Sequence, residues 1–242
     1  MTAQDHSKTK IKICGLRRRE DILTVNEAKP DYCGFIVEFP KSFRSVTADQ
    51  VRELVKELAP EIQPVGVFVN APMELVRTLL DDGTLALAQL HGQEDESYIR
   101  ELKTYTDKLI IKAFSIKTAE DIEKALQSPA DYILLDQGGG GTGKTFDWSL
   151  IPEIQRPFFL AGGIGASNLG QAIREIHPYA VDLSSSVETE KRKDPMKIRQ
   201  VVDIVRKLYE EDTNVKRKIW NTWRAVHSGD TDECSARTGR SI

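Results

Sequence analysis

An eightfold alternation of short apolar runs with longer helical segments is the feature that most constrains how this chain folds. Each run has the length of a buried strand and is rich in β-branched or other apolar residues. The eight runs are KIKIC (10–14), DYCGFIVE (31–38), PVGVFV (64–69), LALAQL (85–90), KLIIKAF (108–114), DYILLD (131–136), PFFLAG (157–162) and AVDLSS (180–185). Such alternation is typical of βα units that build a parallel sheet, and not of a sandwich or a helix bundle.

Helix-start signals occupy the segments between these runs. They are Thr47 with Gln50, Asn70 ahead of Pro72, Thr118 with Asp121, Ser167, and Asp194 followed by Pro195. We therefore expect a helix after every strand. Residues 1–211 provide roughly 26 residues for each of eight units, the size of one βα unit in a (β/α)8 TIM barrel. The sequence thus predicts an α/β fold of this kind in one domain, and a doubly wound open sheet is the alternative.

The alternation stops near residue 211. We predict a flexible amino terminus over residues 1–9, a catalytic barrel over 10–211, and a partly disordered carboxyl-terminal extension over 212–242. The extension contains the basic, tryptophan-bearing segment KRKIWNTWRAV (216–226). This segment is either a frayed appendage or a short helix that packs on the barrel base or on a partner.

Charge, hydropathy and cysteine content exclude several classes of protein. The chain has 34 Lys and Arg against 37 Asp and Glu, a net charge of −3, with no basic stripe in its first two hundred residues, so we expect no nucleic-acid partner. No apolar run approaches the ~18 residues of a membrane span, and the polar start MTAQDHSKTK does not resemble a signal peptide. Cys14, Cys33 and Cys234 are too few and too far apart for a disulfide framework or a zinc site. We expect a cytoplasmic protein without a membrane anchor.

Reactive side chains are expected where strands end, because the loops at the carboxyl ends of barrel strands form the active-site face. Period-two alternation directs Lys12 and Cys14 into the barrel and Ile11 and Ile13 toward the helices. An interior thiol at the rim is a candidate reactive group, although a cysteine is more often a small buried apolar residue.

Asp136 ends the sixth run, where a carboxylate can be catalytic or can cap a turn. The same alternation assigns Gln89, His91, Lys112 and Asp182 to the interior. Because the first and eighth strands of a closed barrel are neighbours, we expect the charged groups of Lys12 and Asp182 to lie within about 10 Å of each other.

Two small-residue segments predict a phosphate site. Ala161-Gly162-Gly163 ends the seventh run, and Ser184-Ser185-Ser186 ends the eighth. Loops after these two strands commonly bind phosphate through backbone N–H groups, which predicts a phosphorylated substrate.

The segment GGGGTGKT (138–145) matches the P-loop pattern. A P-loop needs a helix that begins at its Lys-Thr pair, whereas Pro152 cuts short any helix that starts at Lys144. We interpret the segment as a mobile glycine-rich lid over the site. A P-loop-like nucleotide-binding protein remains an alternative.

Nine short motifs, in one order, together resemble the phosphoribosylanthranilate isomerase family of tryptophan biosynthesis. They are KICG (12–15), PKSFRSV (40–46), FVN (68–70), QLHG (89–92), IKAF (111–114), LLD (134–136), GGTGKTFDW (140–148), LAGGI (160–164) and VDLSS (181–185). The resemblance covers roughly residues 10–208 and implies an Amadori rearrangement of N-(5-phosphoribosyl)anthranilate to 1-(2-carboxyphenylamino)-1-deoxyribulose 5-phosphate. It implies no cofactor and no metal.

The resemblance also implies residue roles. Asp136 would protonate the furanose ring oxygen, and Cys14 would take the proton from C2. Arg44 would hold the anthranilate carboxylate, and its presence separates this substrate from other sugar phosphates. The remaining substrate-binding candidates are Gln89, His91, Gly141, Gly162, Gly163, Asp182, Ser185 and Ser186.

These roles carry electrostatic expectations. Burial should raise the pKa of Asp136, and the pKa of the Cys14 thiol should be lowered. Lys12 lies two residues away, ~6.6 Å along the strand, so we expect its effect on Cys14 to be long-range or mediated by water.

Several places depart from the family pattern. Ser186 stands where the family usually has glycine and restricts the backbone, and the loop Glu190-Lys191-Arg192-Lys193 also stands where the family has a glycine. Phe43 replaces a proline and loosens the loop that presents Arg44, and the tail beyond residue 211 lies outside the family pattern. A catalytically silent barrel that serves as a binding subunit is therefore a further alternative. We expect a small sugar-phosphate substrate and a monomer or a homodimer.

Overall fold

A closed ring of eight parallel strands organises the computed structural model, which describes residues 8–138 and 147–227. The strands are β1 (Lys10–Cys14), β2 (Tyr32–Val37), β4 (Gln63–Phe68), β5 (Leu87–Leu90), β6 (Leu109–Ser115), β7 (Tyr132–Asp136), β8 (Phe158–Leu160) and β9 (Ala180–Leu183), and a short strand β3 (Ser45–Val46) pairs with β2. Neighbours pair in chain order around the ring, and β1 pairs in parallel with both β2 and β9. The predicted (β/α)8 TIM barrel is confirmed, and the open-sheet alternative is wrong.

Seven α-helices accompany the strands in the described residues. They are α1 (Arg19–Ala28), α2 (Ala48–Lys56), α3 (Met73–Asp81), α4 (Glu96–Tyr105), α5 (Ala119–Leu126), α6 (Leu169–Ile176) and α7 (Pro195–His227). The predicted starts of α2 and α5 are confirmed by reciprocal capping boxes at Thr47 with Gln50 and at Thr118 with Asp121. The start of α6 differs by one position, because Asn168 rather than Ser167 is the N-cap residue.

The connection after β7 departs from the expectation of a helix after every strand. Its described part, residues 147–157, contains a 3-10 helix at Trp148–Leu150 and no α-helix. The Asp147 side chain caps this turn, and Pro152 follows two residues after it, which prevents further helical growth. Residues 139–146 lie outside the described residues, and with them Gly141, most of the P-loop-like segment and the proposed lid.

Alternation along the strands divides the buried side chains into an outer and an inner core. The outer core lies between strands and helices and includes Ile11 and Ile13, as predicted. The inner core fills the barrel with Tyr32, Val65, Leu87, Ile111, Tyr132, Leu134, Phe159, Ala161 and Ala180. At the amino-terminal ends of the strands the tyrosine hydroxyls of Tyr32 and Tyr179 are 2.9 Å apart, and the ring of Phe159 packs against both tyrosines. An aromatic cluster therefore fills this end of the barrel interior.

Helix α7 continues past the predicted barrel boundary at residue 211 without interruption. The described residues divide into two compact units after Val205. The start of the chain up to residue 7 and the end from residue 228 lie outside the described residues, so the expected disorder of both termini stays a prediction. In the part of the chain that is described, no helix has the length and apolar character that a membrane span requires.

Candidate active site

A buried ion pair lies beneath the carboxyl end of β1. Lys12 and Asp182 are register partners of β1 and β9, and the Lys12 ammonium lies 3.0 and 3.1 Å from the two carboxylate oxygens of Asp182. The Lys12 side chain is fully buried. The predicted proximity of the two charges is confirmed, and each compensates the other's loss of hydration.

Cys14 is the last residue of β1 and lies next to Lys12 inside the barrel. A Cβ built on Gly34 of β2 would be 2.7 Å from the Cys14 sulfur and 3.0 Å from the Lys12 nitrogen, so both groups occupy the space that this glycine leaves open. The positive charge of Lys12 lowers the pKa of the thiol. The expectation that this effect is long-range or mediated by water stays a prediction.

Opposing effects act on the pKa of the Cys14 thiol. Burial raises its pKa above the ordinary value, Lys12 and Lys193 lower it, and Asp182 raises it. The net direction is upward, so the expectation of a lowered pKa is wrong for this site. The physical reason is that removing a thiolate from water costs more than the two cations return.

Asp136 ends β7 and faces a short polar chain from β5. Its Oδ2 atom lies 3.7 Å from Nε2 of His91, and Nδ1 of His91 lies 2.9 Å from the Gln89 amide nitrogen. When that amide nitrogen donates, His91 Nδ1 accepts and Nε2–H points toward Asp136. The three predicted residues are therefore brought together on one side of the barrel mouth.

Gly162 brings the loop after β8 against Asp136. Its φ is +82°, a conformation that favours glycine. A Cβ at this position would lie only 2.7 Å from Oδ1 of Asp136 and 2.7 Å from the backbone nitrogen of Gln137. The glycine thus allows the loop and the carboxyl group to touch.

Lys112 was expected to face the interior, and this is wrong. Ile111 and Ala113 contribute to the inner core, whereas Ile110 belongs to the outer core, so Lys112 points outward. In β6 the odd-numbered residues Ile111 and Ala113 face the interior, and the even-numbered residues face the helices, which is the reverse of the predicted assignment. The Lys112 ammonium instead bonds to Glu94 at 3.0 Å.

The Lys112–Glu94 pair fixes the backbone around His91. Lys112 donates to the carbonyl of Gly92 at 2.8 Å, and Glu94 accepts from the N–H groups of Asn70 at 2.6 Å and Gly92 at 2.8 Å. The Glu94 side chain is buried. The Glu94 carboxylate therefore holds the loop after β4 and the loop after β5 together.

Arg44 lies at the mouth of the barrel in a bidentate ion pair with Glu188. Its Nε and one terminal nitrogen are each 2.7 Å from a carboxylate oxygen. The Phe43 ring covers the guanidinium, with its centroid 4.2 Å from Cζ. The loop is closed by hydrogen bonds from Ser42 to Phe39 and from Ser45 to Ser42. Phe43 thus packs on Arg44, and the loosening expected from it is opposed by these contacts.

The two candidate phosphate loops lie side by side. Gly163 follows β8 with a φ of +67°, and Ser185 and Ser186 lie in a 3-10 helix, Ser185–Val187, after β9. A Cβ on Gly165 would approach Ser186 to 3.2 Å. Ser186 has no positive φ, so a serine fits this backbone without strain.

Sequence reasoning missed Glu188, Lys193 and Glu94. Each is a charged residue outside the strand ends and is buried beside an opposite charge. Glu188 and Lys193 pair within one hairpin, Glu188 also pairs with the distant Arg44, and Glu94 pairs with Lys112. The burial of Lys193 in a highly charged loop has no sequence signal. Within residues 8–138 and 147–227, no cluster of three His, Cys, Asp or Glu side chains is arranged to hold a metal ion.

Comparison with known proteins places the chain in a family. A family model described as N-(5'phosphoribosyl)anthranilate (PRA) isomerase matches residues 11–204. The N-(5'-phosphoribosyl)anthranilate isomerase of Endomicrobium trichonymphae is 46% identical over 206 residues, which cover 82% of this chain and 99% of that protein.

Two solved structures extend this likeness to the fold. A phosphoribosyl anthranilate isomerase in complex with reduced 1-(o-carboxyphenylamino)-1-deoxyribulose 5-phosphate is 34% identical with a TM-score of 0.71, covering 82% of this chain and 98% of that one. Engineered monomers of the dimeric isomerase of Thermotoga maritima are 35% identical with a TM-score of 0.71 and the same coverage. This chain therefore belongs to the N-(5'-phosphoribosyl)anthranilate isomerase family.

Proposed function

We propose that this protein catalyses the Amadori rearrangement of N-(5'-phosphoribosyl)anthranilate to 1-(2-carboxyphenylamino)-1-deoxyribulose 5-phosphate, an aldose–ketose isomerisation of tryptophan biosynthesis. The proposal is supported by family membership, because the match covers 98–99% of the relatives' lengths. It is also supported by the Cys14 thiol at the carboxyl end of β1 and the Asp136 carboxyl group at the carboxyl end of β7. A relative of the same fold binds a reduced form of this product.

The proposed chemistry needs an acid and a base. Asp136 delivers a proton to the furanose oxygen, the C1–O bond breaks, and the nitrogen lone pair forms a Schiff base with C1. Cys14 then accepts the proton from C2, the released electron pair forms the C1–C2 double bond, and the C=N electrons return to nitrogen. The enolamine that results tautomerises to the ketone. Both transfers are general acid–base steps.

The base must be ionised before it acts. Since burial raises the pKa of Cys14, the thiolate is a minor form near neutral pH, and the adjacent Lys12 ammonium increases its share. His91 and Gln89 orient groups around Asp136 on the opposite side of the mouth. The acid and base are thus supplied by separate, independently held side chains.

Binding of the two ends of the substrate would position the reacting carbons between Asp136 and Cys14. Arg44 holds the anthranilate carboxylate: a guanidinium has five N–H donors, and the pair with Glu188 uses two of its nitrogens. Gly162, Gly163, Ser185 and Ser186 are proposed to bind the phosphate through backbone N–H groups. Asp182, Gln89, His91 and Gly141 complete the proposed substrate contacts.

The proposed partner is this small sugar phosphate. A monomer or a homodimer belongs to the same proposal, and the solved relatives include monomers generated from a dimeric isomerase. A cytoplasmic location belongs to the same proposal and is supported by two free cysteines, Cys14 and Cys33, among the described residues.

The test is turnover of phosphoribosylanthranilate, followed by the loss of its fluorescence with purified protein. We expect Cys14→Ala and Asp136→Asn each to lower kcat by about 10²-fold or more, because each removes one proton-transfer group. Cys33→Ala is the matched control, since Cys33 lies in the outer core. Full turnover in both catalytic variants contradicts the assigned roles, and a wild-type protein without turnover favours the silent barrel.

The nucleotide-binding alternative is not favoured. It required an α-helix that begins at the Lys144-Thr145 pair, and among residues 147–157 the structure contains only the 3-10 turn at Trp148–Leu150. Calorimetric titration with ATP and magnesium checks it directly, and we expect no binding heat.

A further inference from the structure

A continuous set of polar contacts runs from Arg44 to the backbone of Cys14. Glu188, which binds Arg44, also accepts from the Lys193 ammonium at 2.8 Å. Lys193 donates to the carbonyl of Ser184 at 2.9 Å, and the Ser184 hydroxyl donates to the carbonyl of Cys14 at 3.0 Å. We call these four side chains, Arg44, Glu188, Lys193 and Ser184, the rim network.

Lys193 is the centre of the rim network and is almost inaccessible. Its side chain is 1% exposed, compared with 8% for Glu188 and 15% for Arg44. Burying an ammonium group is costly unless it is paired and hydrogen bonded. Two cations share one carboxylate here, so the network keeps a net positive charge beside the end of β1.

The backbone that holds Lys193 is a tight hairpin. Strands β10 (Glu188–Thr189) and β11 (Arg192–Lys193) pair so that Glu188 lies directly opposite Lys193. The two residues of the turn, Glu190 and Lys191, have φ values of +49° and +60°, as a type I′ turn requires. Neither is glycine or asparagine, so the turn is kept in a costly conformation while it points Lys193 inward.

The Arg44 end of the network also touches the residue after the thiol. A Cβ on Gly15 would lie 2.5 Å from Cδ of Arg44 and 3.3 Å from the Ser184 hydroxyl oxygen. The stem of the arginine therefore packs on the backbone that carries Cys14. A shift of Lys193 would disturb both the arginine and the end of β1.

We propose that Lys193 is a positioning residue of the isomerisation, which holds Arg44 in place through Glu188 and supplies positive charge that favours the thiolate form of Cys14. This inference rests on the proposed function for its effect on turnover. Its effect on the thiol rests on the rim network, which joins Lys193 to the backbone of Cys14 through Ser184, and on the positive charge of Lys193, which lowers the pKa of the thiol.

The charged groups that act on the Cys14 thiol come from three elements. They are Lys12 of β1, Asp182 of β9 and Lys193 of β11. Of these, only Lys12 and Lys193 lower the pKa of the Cys14 thiol, and Lys12 is already neutralised by Asp182 at 3.0 Å. Burial lowers the pKa of Lys193 itself, and its contact with Glu188 opposes that change. Removing the Lys193 charge is therefore expected to move the thiol titration upward.

The experiment compares Lys193→Gln, which keeps a hydrogen-bond donor but loses the charge, with Lys193→Arg, which keeps the charge. Lys103→Gln is the matched control, because Lys103 also contacts a carboxylate, Asp131 at 2.6 Å, and a carbonyl, Pro129 at 3.3 Å, before β7 begins. The first readout is the rate of iodoacetamide alkylation of Cys14 against pH, followed by peptide mapping that separates Cys14 from Cys33 and Cys234. The second is kcat and KM for phosphoribosylanthranilate.

We expect Lys193→Gln to raise the alkylation midpoint by about 1 pH unit. We also expect a fall of roughly tenfold in kcat/KM with a raised KM, whereas Lys193→Arg and Lys103→Gln stay within about threefold of the wild type. Lys193→Met replaces Lys193→Gln if thermal melting shows that the glutamine variant does not fold.

Two results would overturn the inference: an unchanged midpoint in a folded Lys193→Gln or Lys193→Met protein, or an equal shift in Lys103→Gln. If the wild-type protein fails to turn over the substrate, the proposed function falls, and the alkylation midpoints still decide whether Lys193 acts on the thiol.

Discussion

Single residues at the mouth of the barrel are held by close approaches that leave no space for an added methyl group. Gly34 opens the space for the Cys14 thiol and the Lys12 ammonium, and Gly162 allows its loop to reach Asp136. These glycines position the proposed base and acid without contacting a substrate through a side chain. Substituting either glycine changes the position of the proposed base or acid and leaves the reactive group itself in place.

We predict that Gly162→Ala lowers kcat by at least tenfold and destabilises the protein by about 1–3 kcal/mol. The new Cβ would lie 2.7 Å from Oδ1 of Asp136, on a backbone with a φ of +82°. Steady-state kinetics and thermal melting measure both effects.

Gly83→Ala is the control for this prediction, because Gly83 has a φ of +77° with no atom within 4 Å of an added Cβ. It should share the backbone strain and keep normal turnover. Equal losses of kcat in the two variants would show that strain alone, and not displacement of Asp136, is responsible.

Elements are joined at the site by buried charges rather than by apolar packing alone. Lys112 of β6 and Glu94, just before α4, connect the strand to the loops on both sides of His91. Burial opposes the ionisation of Glu94, but hydrogen bonds from Lys112 and from backbone N–H groups outweigh it and lower the pKa of Glu94. The carboxylate is therefore charged at neutral pH and depends on its partner.

We predict that Lys112→Met destabilises the protein by about 3 kcal/mol, because it leaves a buried carboxylate without its cation. Urea unfolding measures the loss, and kcat should fall with it as the His91 loop loosens. Lys56→Met removes the cation of an exposed pair with Glu53 and should cost no more than about 0.5 kcal/mol. A loss in Lys112→Met as small as in the control would contradict this account of the loop.

The whole molecule combines a barrel with an extension that lies beyond the residues matched by the family model. The family model ends at residue 204, and the first compact unit ends at residue 205. We predict that a chain that ends at Glu211 keeps kcat/KM within about twofold and an unchanged melting temperature, because the proposed residues and both cores lie before that point. A tenfold loss of kcat/KM on truncation would assign the extension a part in the barrel's function.

At the same scale, the agreement between sequence and fold follows from repetition. Eight strand-sized runs, with helix-start signals in five of the segments that follow them, specify one architecture even when single boundaries move by a residue or two. The connection after β7 is the exception, because glycines and Pro152 carry no helical pattern to predict from.

The sequence by itself determined the barrel, the interior position of Lys12 and Cys14, and the placement of Asp136 at a strand end, because strand periodicity and chain order are local properties. Tertiary structure decided the rest. The pairing of Lys112 with Glu94, the raised pKa of Cys14 and the pairing of Glu188 with Arg44 all depend on groups from other segments of the chain. A buried charge is stable only when an opposite charge lies next to it, and the local sequence pattern does not show which residue supplies that charge.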